Sequence, residues 1–190
     1  MQNTSTESIP TQKGEILAQS AVTSPEAFAE LYRLYLPQVY RYHLARSGDQ
    51  STAQDLTAQT FIAALEGLPG FRGQGSFIAW LMGIARRKLA LHYRSLRRHL
   101  PLEQADSLPD PADPPDVRVD SRLNLRQLSD ALQRLSPDRA EAIRLCVIAE
   151  LSSAEAALVL GKSQAAVKML VLRGLRDLRN LCASHLEEAE

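Results

Sequence analysis

GFRGQGSFIAWLMGIARRKLALHYRSLRR, residues Gly70 to Arg98, opens as a glycine-rich loop and becomes one long basic helix. Ser76 ends the run of glycines and suits an N-cap. Phe77, Trp80, Leu81, Ile84, Ala85, Leu89 and Tyr93 recur at spacings of three and four, which predicts one apolar side. The other positions carry Arg86, Arg87, Lys88, Arg94, Arg97 and Arg98, and no acid lies between Glu66 and Glu103. A solvated surface helix usually mixes both signs. One buried face and one uniformly basic face, entered through a flexible loop with Phe71 and Arg72 at its tip, fit a polyanion held close. Trp80 lies on the apolar side and reads as a core anchor.

The rest of the chain balances this stretch. Lys and Arg total 22, Asp and Glu total 22, and the formal net charge is zero. Charge is segregated: the basic helix, an acidic middle and a second basic helix near the C-terminus offset one another. Apolar content of 45% permits a sizeable core, and the abundance of Ala, Leu, Arg, Glu and Gln favours helix. The predicted fold is all-α, with two small helical domains joined by an acidic, Pro-rich linker. No apolar run is long enough to span a bilayer, and the N-terminus lacks the basic-then-apolar layout of a signal peptide. We therefore expect a cytoplasmic protein without membrane insertion. Cys146 and Cys182 are too few and too widely spaced for a disulfide framework or zinc motif. His43, His92, His99 and His185 form no metal spacing, and there is no nucleophile motif or phosphate loop. No metal, cofactor or catalytic residue is expected, and the chain does not read as an enzyme.

Residues 1–23 are polar and aperiodic and predict a disordered tail. A first domain spans 24–99. Ser24-Pro25-Glu26 opens a helix that Pro37 should break or kink and that Gly48 should end. Ser51 and Gln54 suggest a capping box for the next helix, which shows Asp55, Gln59 and Thr60 on its polar face, with Leu56 and Phe61 at its edge or beneath it. Residues 100–120 hold five prolines and six acids and read as an extended linker. The second domain, 121–186, has a leucine stripe, a helix capped at Ser136-Pro137, a capping box at Ser152 and Glu155, a turn at Gly161 and a last helix capped by Ser163. Short helix, glycine turn and longer helix make a helix-turn-helix pattern. Its second helix carries Gln164, Lys168, Arg173, Arg176 and Arg179, with Lys162 in the turn.

Taken together, DLTAQTFIAAL, FRGQGSFIAWLMGIARRK and LSSAEAALVLGKSQAAVKMLVLRGLRDLR, in this order and across an acidic linker, resemble bacterial sigma factors of the extracytoplasmic-function type over residues 24 to 182. The resemblance implies a dissociable subunit of core RNA polymerase that directs it to promoters and helps melt them. It implies polymerase binding by Asp55, Leu56, Gln59, Thr60 and Phe61. It places promoter DNA against Phe71, Arg72, Arg86, Arg87, Lys88 and Arg94 at the minus-ten element. Lys162, Ser163, Gln164, Lys168, Arg173 and Arg176 would meet the minus-thirty-five element. The linker would thread the polymerase, and an anti-sigma protein is an expected partner. The chain departs from the family pattern at Ala58 and Gln59, at Arg87, where Asn is usual, and at Met169 and Leu170 in the recognition helix. The alternatives are a helix-turn-helix regulator that binds duplex DNA without polymerase, and a sigma-like protein that occupies polymerase without starting transcription.

Overall fold

The computed structural model of the chain describes residues 9–71, 73, 76–99 and 128–187. The acidic linker and Arg72 lie outside the described residues. Every regular element among those described is helical: α1 (Ile9–Ser20), α2 (Pro25–Ser47), α3 (Gln50–Gly67), a short 3-10 turn (Leu68–Gly70) and α4 (Phe77–His99), then α5 (128–133), α6 (Pro137–Ile143), a π-helical turn (Arg144–Ile148), α7 (Ser153–Leu160) and α8 (Gln164–Glu187).

Local chemistry explains most of these boundaries. Ser24 accepts from the Ala27 N–H, Pro25 occupies the first helical position, and Gly48 closes α2 in the left-handed region at φ 69. Of the two outcomes expected at Pro37, a break or a kink, the break does not occur. The helix runs through it because Leu31, Tyr35, Val39 and Tyr42 on either side are buried in one stripe, and that packing outweighs one missing N–H. The cap of α3 is Asp49, whose carboxylate accepts from the Thr52 N–H at 2.7 Å, rather than the expected Ser51. Ser152 and Glu155 form the full reciprocal capping box of α7, and Gly161 ends it at φ 63. Ser163 accepts from the Ala166 N–H and opens α8.

Two findings depart from the expected layout. Residues 9–20 are helical where a disordered tail is predicted, and Ala18 and Ala21 are buried against α2 and α4. Their signal is weak in sequence because the buried positions are small alanines within a polar segment. The larger core, moreover, does not stop at the domain boundary. Leu31, Tyr35, Leu56, Phe77, Leu81 and Met82 share one apolar cluster with Leu145, Leu151, Ala156 and Val167. A smaller cluster joins Ala45 of α2 to Leu132, Leu135, Ala140 and Ile143. The two halves therefore pack against each other through α2, α4, the π turn and α7. Within the second half α8 crosses α6 closely at Gly174, where an added Cβ would lie 2.7 Å from Ile143 Cδ1 and 3.3 Å from Arg139 Cβ.

Candidate nucleic-acid interface

The loop before α4 is anchored by aromatic packing. Phe71 is half-buried, its ring 5.4 Å from Phe77 and 5.1 Å from Trp80, and Phe77 in turn stacks near Tyr35. Phe71 is thus tied into a cluster, not displayed at a free tip as the sequence suggests. Rings at these separations attract through offset and edge-on geometries, and burial adds to that. Trp80 packs on the core as expected. Gly73 adopts φ 67, a conformation that glycine reaches without Cβ strain, and Gln19 of α1 approaches it: an added Cβ would lie 3.5 Å from Gln19 Nε2. The N-terminal helix and the loop are therefore neighbours.

The basic face of α4 divides into two groups. Arg87 and Arg94 are exposed, and Lys88 is partly so. Arg86 is instead drawn into the contact between the halves. Its Nε donates to Glu141 at 3.0 Å, and its Nη1 donates to the Val159 carbonyl at 2.7 Å. That carbonyl belongs to the last turn of α7, the negative end of the helix dipole. The expectation that Arg86 lies open beside Arg87 and Lys88 is corrected accordingly. Sequence could not show this, because the partner lies 55 residues away.

Glu141 gathers three donors. Besides Arg86 it accepts from the Tyr42 hydroxyl at 2.8 Å and pairs with Arg144 Nη1 at 3.5 Å. Arg144 is only 3% exposed, and its Nε has no hydrogen-bond partner among the described residues. Burial lowers the Arg144 pKa, Arg46 nearby lowers it further, and Glu141 acts in the opposite direction. Burial and the adjacent Glu141 push the Tyr42 hydroxyl well above its ordinary range, so it stays a donor. Beside this cluster opens a cleft of about 1090 Å³ between α4 and the second half, lined by Arg46, Arg87, Arg94 and Lys162 among others.

On α3 the structure separates the predicted residues. Asp55 and Gln59 are exposed, as expected. Thr60 is not: it is fully buried, donates to the Leu56 carbonyl at 2.7 Å and faces His43 Nε2 at 3.0 Å. It follows Gln59 by one residue and so turns about 100° away from it. Leu56 and Phe61 lie beneath the surface. The exposed stripe is completed by Ala58 and by two residues that sequence assigns to the apolar side, Ile62 at 59% and Leu65 at 52% exposure. Ile62 lies four residues after Ala58 and three after Gln59, and Leu65 three after Ile62, and that spacing was the available signal.

In the second half, Ser163, Gln164, Lys168, Arg173 and Arg176 are exposed along α8, as are Met169 and Leu172. Gln164 donates to Ser153 at 2.9 Å and so braces the turn, while Lys162 pairs with Asp138 at 3.0 Å. No group of three or more metal-binding side chains occurs among the described residues, and no described helix is long and apolar enough to cross a membrane.

Comparison with known proteins places this arrangement. Residues 31–99 match the family model Sigma-70 region 2, and residues 125–178 match Sigma-70, region 4. The ECF RNA polymerase sigma factor BldN of Streptomyces coelicolor is 38% identical over 171 residues, covering 88% of this chain and 64% of that protein. RNA polymerase sigma factor CarQ of Myxococcus xanthus is 30% identical over 163 residues, covering 82% of this chain and 89% of that protein. The chain belongs to the extracytoplasmic-function sigma factors. This sigma factor spans less than two thirds of the length of the Streptomyces relative. Among solved structures it is similar to the sigma factor RpoE of Bartonella quintana, determined in complex with the anti-sigma factor NepR. The TM-score is 0.66 at 25% identity, over 83% of this chain and 98% of that one. The region 2 match thus takes in most of α2 with α3 and α4, and the region 4 match takes in α5, α6, the π turn, α7 and the first part of α8.

Proposed function

We propose that this chain is a dissociable sigma subunit that directs core RNA polymerase to a set of promoters and helps open them. The observation that carries the reading is the pairing, in one chain, of a region 2 helix set bearing an acid-free basic helix with a region 4 helix-turn-helix. The outer stripe of α3, from Asp55 through Ala58 and Gln59 to Ile62, docks on core polymerase. A half-apolar face on a well-packed helix is the kind of surface that binds another protein. Arg87, Lys88 and Arg94 hold the promoter backbone at the minus-ten element. Phe71 and Arg72 belong to the loop that holds unstacked bases, for which aromatic stacking supplies affinity without needing duplex geometry. On α8, Lys168, Arg173 and Arg176 meet the minus-thirty-five duplex, with Ser163 and Gln164 at the helix start.

The chain carries no reaction of its own in this reading; the polymerase supplies the chemistry, and the protein works in the cytoplasm beside it. An anti-sigma protein is its proposed restraining partner, by similarity to the Bartonella factor solved with one. The test is to sequence transcripts started by core enzyme with and without this protein. A discrete set of new start sites sharing upstream elements is expected. Duplex binding without any new start site would point instead to a regulator that acts alone.

A further inference from the structure

The cleft beside Glu141 takes its walls from the last turns of α2, from α4, from α5 and α6, from the π turn and from the end of α7. Its charge is one-sided. Among the described residues Arg46, Arg86, Arg87, Arg94, Arg144 and Lys162 line it, against two carboxylates, Asp138 and Glu141. Lys162 takes Asp138, at 3.0 Å. Glu141 is divided between Arg86 and Arg144 and also accepts from the Tyr42 hydroxyl. No described carboxylate pairs with Arg46, Arg87 or Arg94. The described lining therefore carries four more positive charges than negative ones.

Arg144 makes this imbalance costly. Its side chain is almost fully buried, its Nε has no hydrogen-bond partner among the described residues, and Glu141 stands 3.5 Å from its Nη1. A guanidinium taken so far out of water needs more compensation than a share of one carboxylate. Burial, and then the neighbouring Arg46 charge, both disfavour its protonated form. Arg46 itself is held in place. Its guanidinium carbon lies 5.4 Å from the centre of the Tyr93 ring, and the Tyr93 hydroxyl donates to the Arg46 carbonyl at 3.0 Å. Arg87 and Arg94 stand about two helical turns apart on α4, both exposed. Apolar surface adjoins these charges: Leu89, Leu132, Leu135 and Leu160 also line the cleft, as does Tyr93.

The promoter backbone accounts for the exposed Arg87 and Arg94. It gives no reason for Arg46, half-buried on α2, or for Arg144, buried in the π turn. A volume of about 1090 Å³ suits a small molecule better than a single ion. A lone carboxylate would leave most of the excess charge unbalanced. Linked phosphates bring several negative charges in one molecule, and guanidinium forks match their oxygens two at a time.

We propose that this cleft is a binding site for a small molecule carrying two or more linked phosphates, held by Arg46, Arg87 and Arg94, with the buried Arg144 strengthening the field behind them. Inorganic polyphosphate chains and nucleoside polyphosphates share this chemistry. The leucines and the Tyr93 ring add affinity only for the second kind, whose base they can cover. The site goes beyond the promoter reading, and its binding step needs no polymerase.

Isothermal titration calorimetry of the full chain tests this, with sodium tripolyphosphate and ATP as probes, at physiological ionic strength and without divalent metal. One-to-one binding of at least one probe is expected. Arg46→Gln should weaken it about tenfold, as loss of a charge-assisted contact does. Arg33→Gln should not, because Arg33 is exposed about 20 Å along α2 from Arg46. Tighter binding of ATP assigns the site to nucleotides, and binding of tripolyphosphate as tight or tighter assigns it to the bare chain. Binding of neither probe overturns the site, and so does binding that Arg46→Gln leaves unchanged. Hydrogen exchange of the unaltered chain locates the site without any substitution. The bound probe should slow exchange at residues 89–94 and 141–144, and protection confined to other segments overturns the proposal. A short DNA duplex is the third titrant. If Arg46→Gln weakens its binding as much, the cleft belongs to the DNA interface and the proposal falls.

Discussion

His43 shows how a single side chain can tie stability to pH. The Thr60 hydroxyl gives its proton to the Leu56 carbonyl, so His43 must donate through Nε2–H, which leaves Nδ1 as a bare, buried acceptor without a partner among the described residues. Protonation would place a charge and an unsatisfied N–H in the core. Burial, with a smaller contribution from His92, lowers the pKa from 6.5 to about 4. A folded-state pKa below the unfolded value means that the folded state resists protonation. The associated stability is fully present above pH 6.5 and is lost as pH falls toward 4. The shift corresponds to about 3 kcal/mol over that window. Chemical denaturation at several pH values should show this loss, and His43→Gln, which keeps an N–H for Thr60 but does not titrate, should flatten it. An unchanged pH profile in His43→Gln would assign the acid sensitivity elsewhere.

At the scale of the element, α3 and α4 make separable predictions. Replacing Asp55 and Gln59 with Lys should weaken core pull-down about tenfold or more, and Ile62→Asp should do the same, because its side chain is exposed and not part of the fold's core. Normal pull-down by all three would remove α3 as the docking face. Arg87→Ala and Arg94→Ala should leave core binding intact and make the salt dependence of promoter binding shallower, by about one unit for each phosphate no longer neutralised. Phe71→Ala should lower stability by about 1–2 kcal/mol, since a half-buried ring forfeits only part of a full Phe→Ala loss. It should also slow promoter opening, as read by permanganate. These elements were legible to different degrees. Helix ends with a side-chain signal (Ser24, Gly48, Ser152 with Glu155, Gly161, Ser163) could be read directly, because capping is local chemistry. The basic face of α4 was equally visible as a pattern. Thr60 and Ile62 were misassigned because two faces of α3 carry mixed residues, and a threonine satisfied by its own helix looks polar in sequence while lying in the core. Glu141 and the π turn left no local trace: one works through partners 55 and 99 residues away, and the other inserts extra residues that helix periodicity does not anticipate.

For the whole molecule, the shared core means that the two halves stabilise each other. Removing residues 9–20 should be felt beyond α1, because α1 packs on α2 and α4, Ala18 lies in the core and Gln19 adjoins the loop. A chain lacking them should melt several degrees lower, and its loop amides should exchange hydrogen faster; unchanged melting would show that α1 is dispensable. The close crossing of α6 and α8 at Gly174 has a use of another kind. A methyl group there must displace Ile143, itself buried, so Gly174→Ala costs about 1–3 kcal/mol in overpacking and regains about 1 through helix propensity. A net loss of that size is tolerable in the cold and decisive a few degrees higher. The substitution should therefore serve as a conditional allele, giving cells in which genes controlled by this factor are expressed at low temperature and fall silent within minutes of a modest upshift.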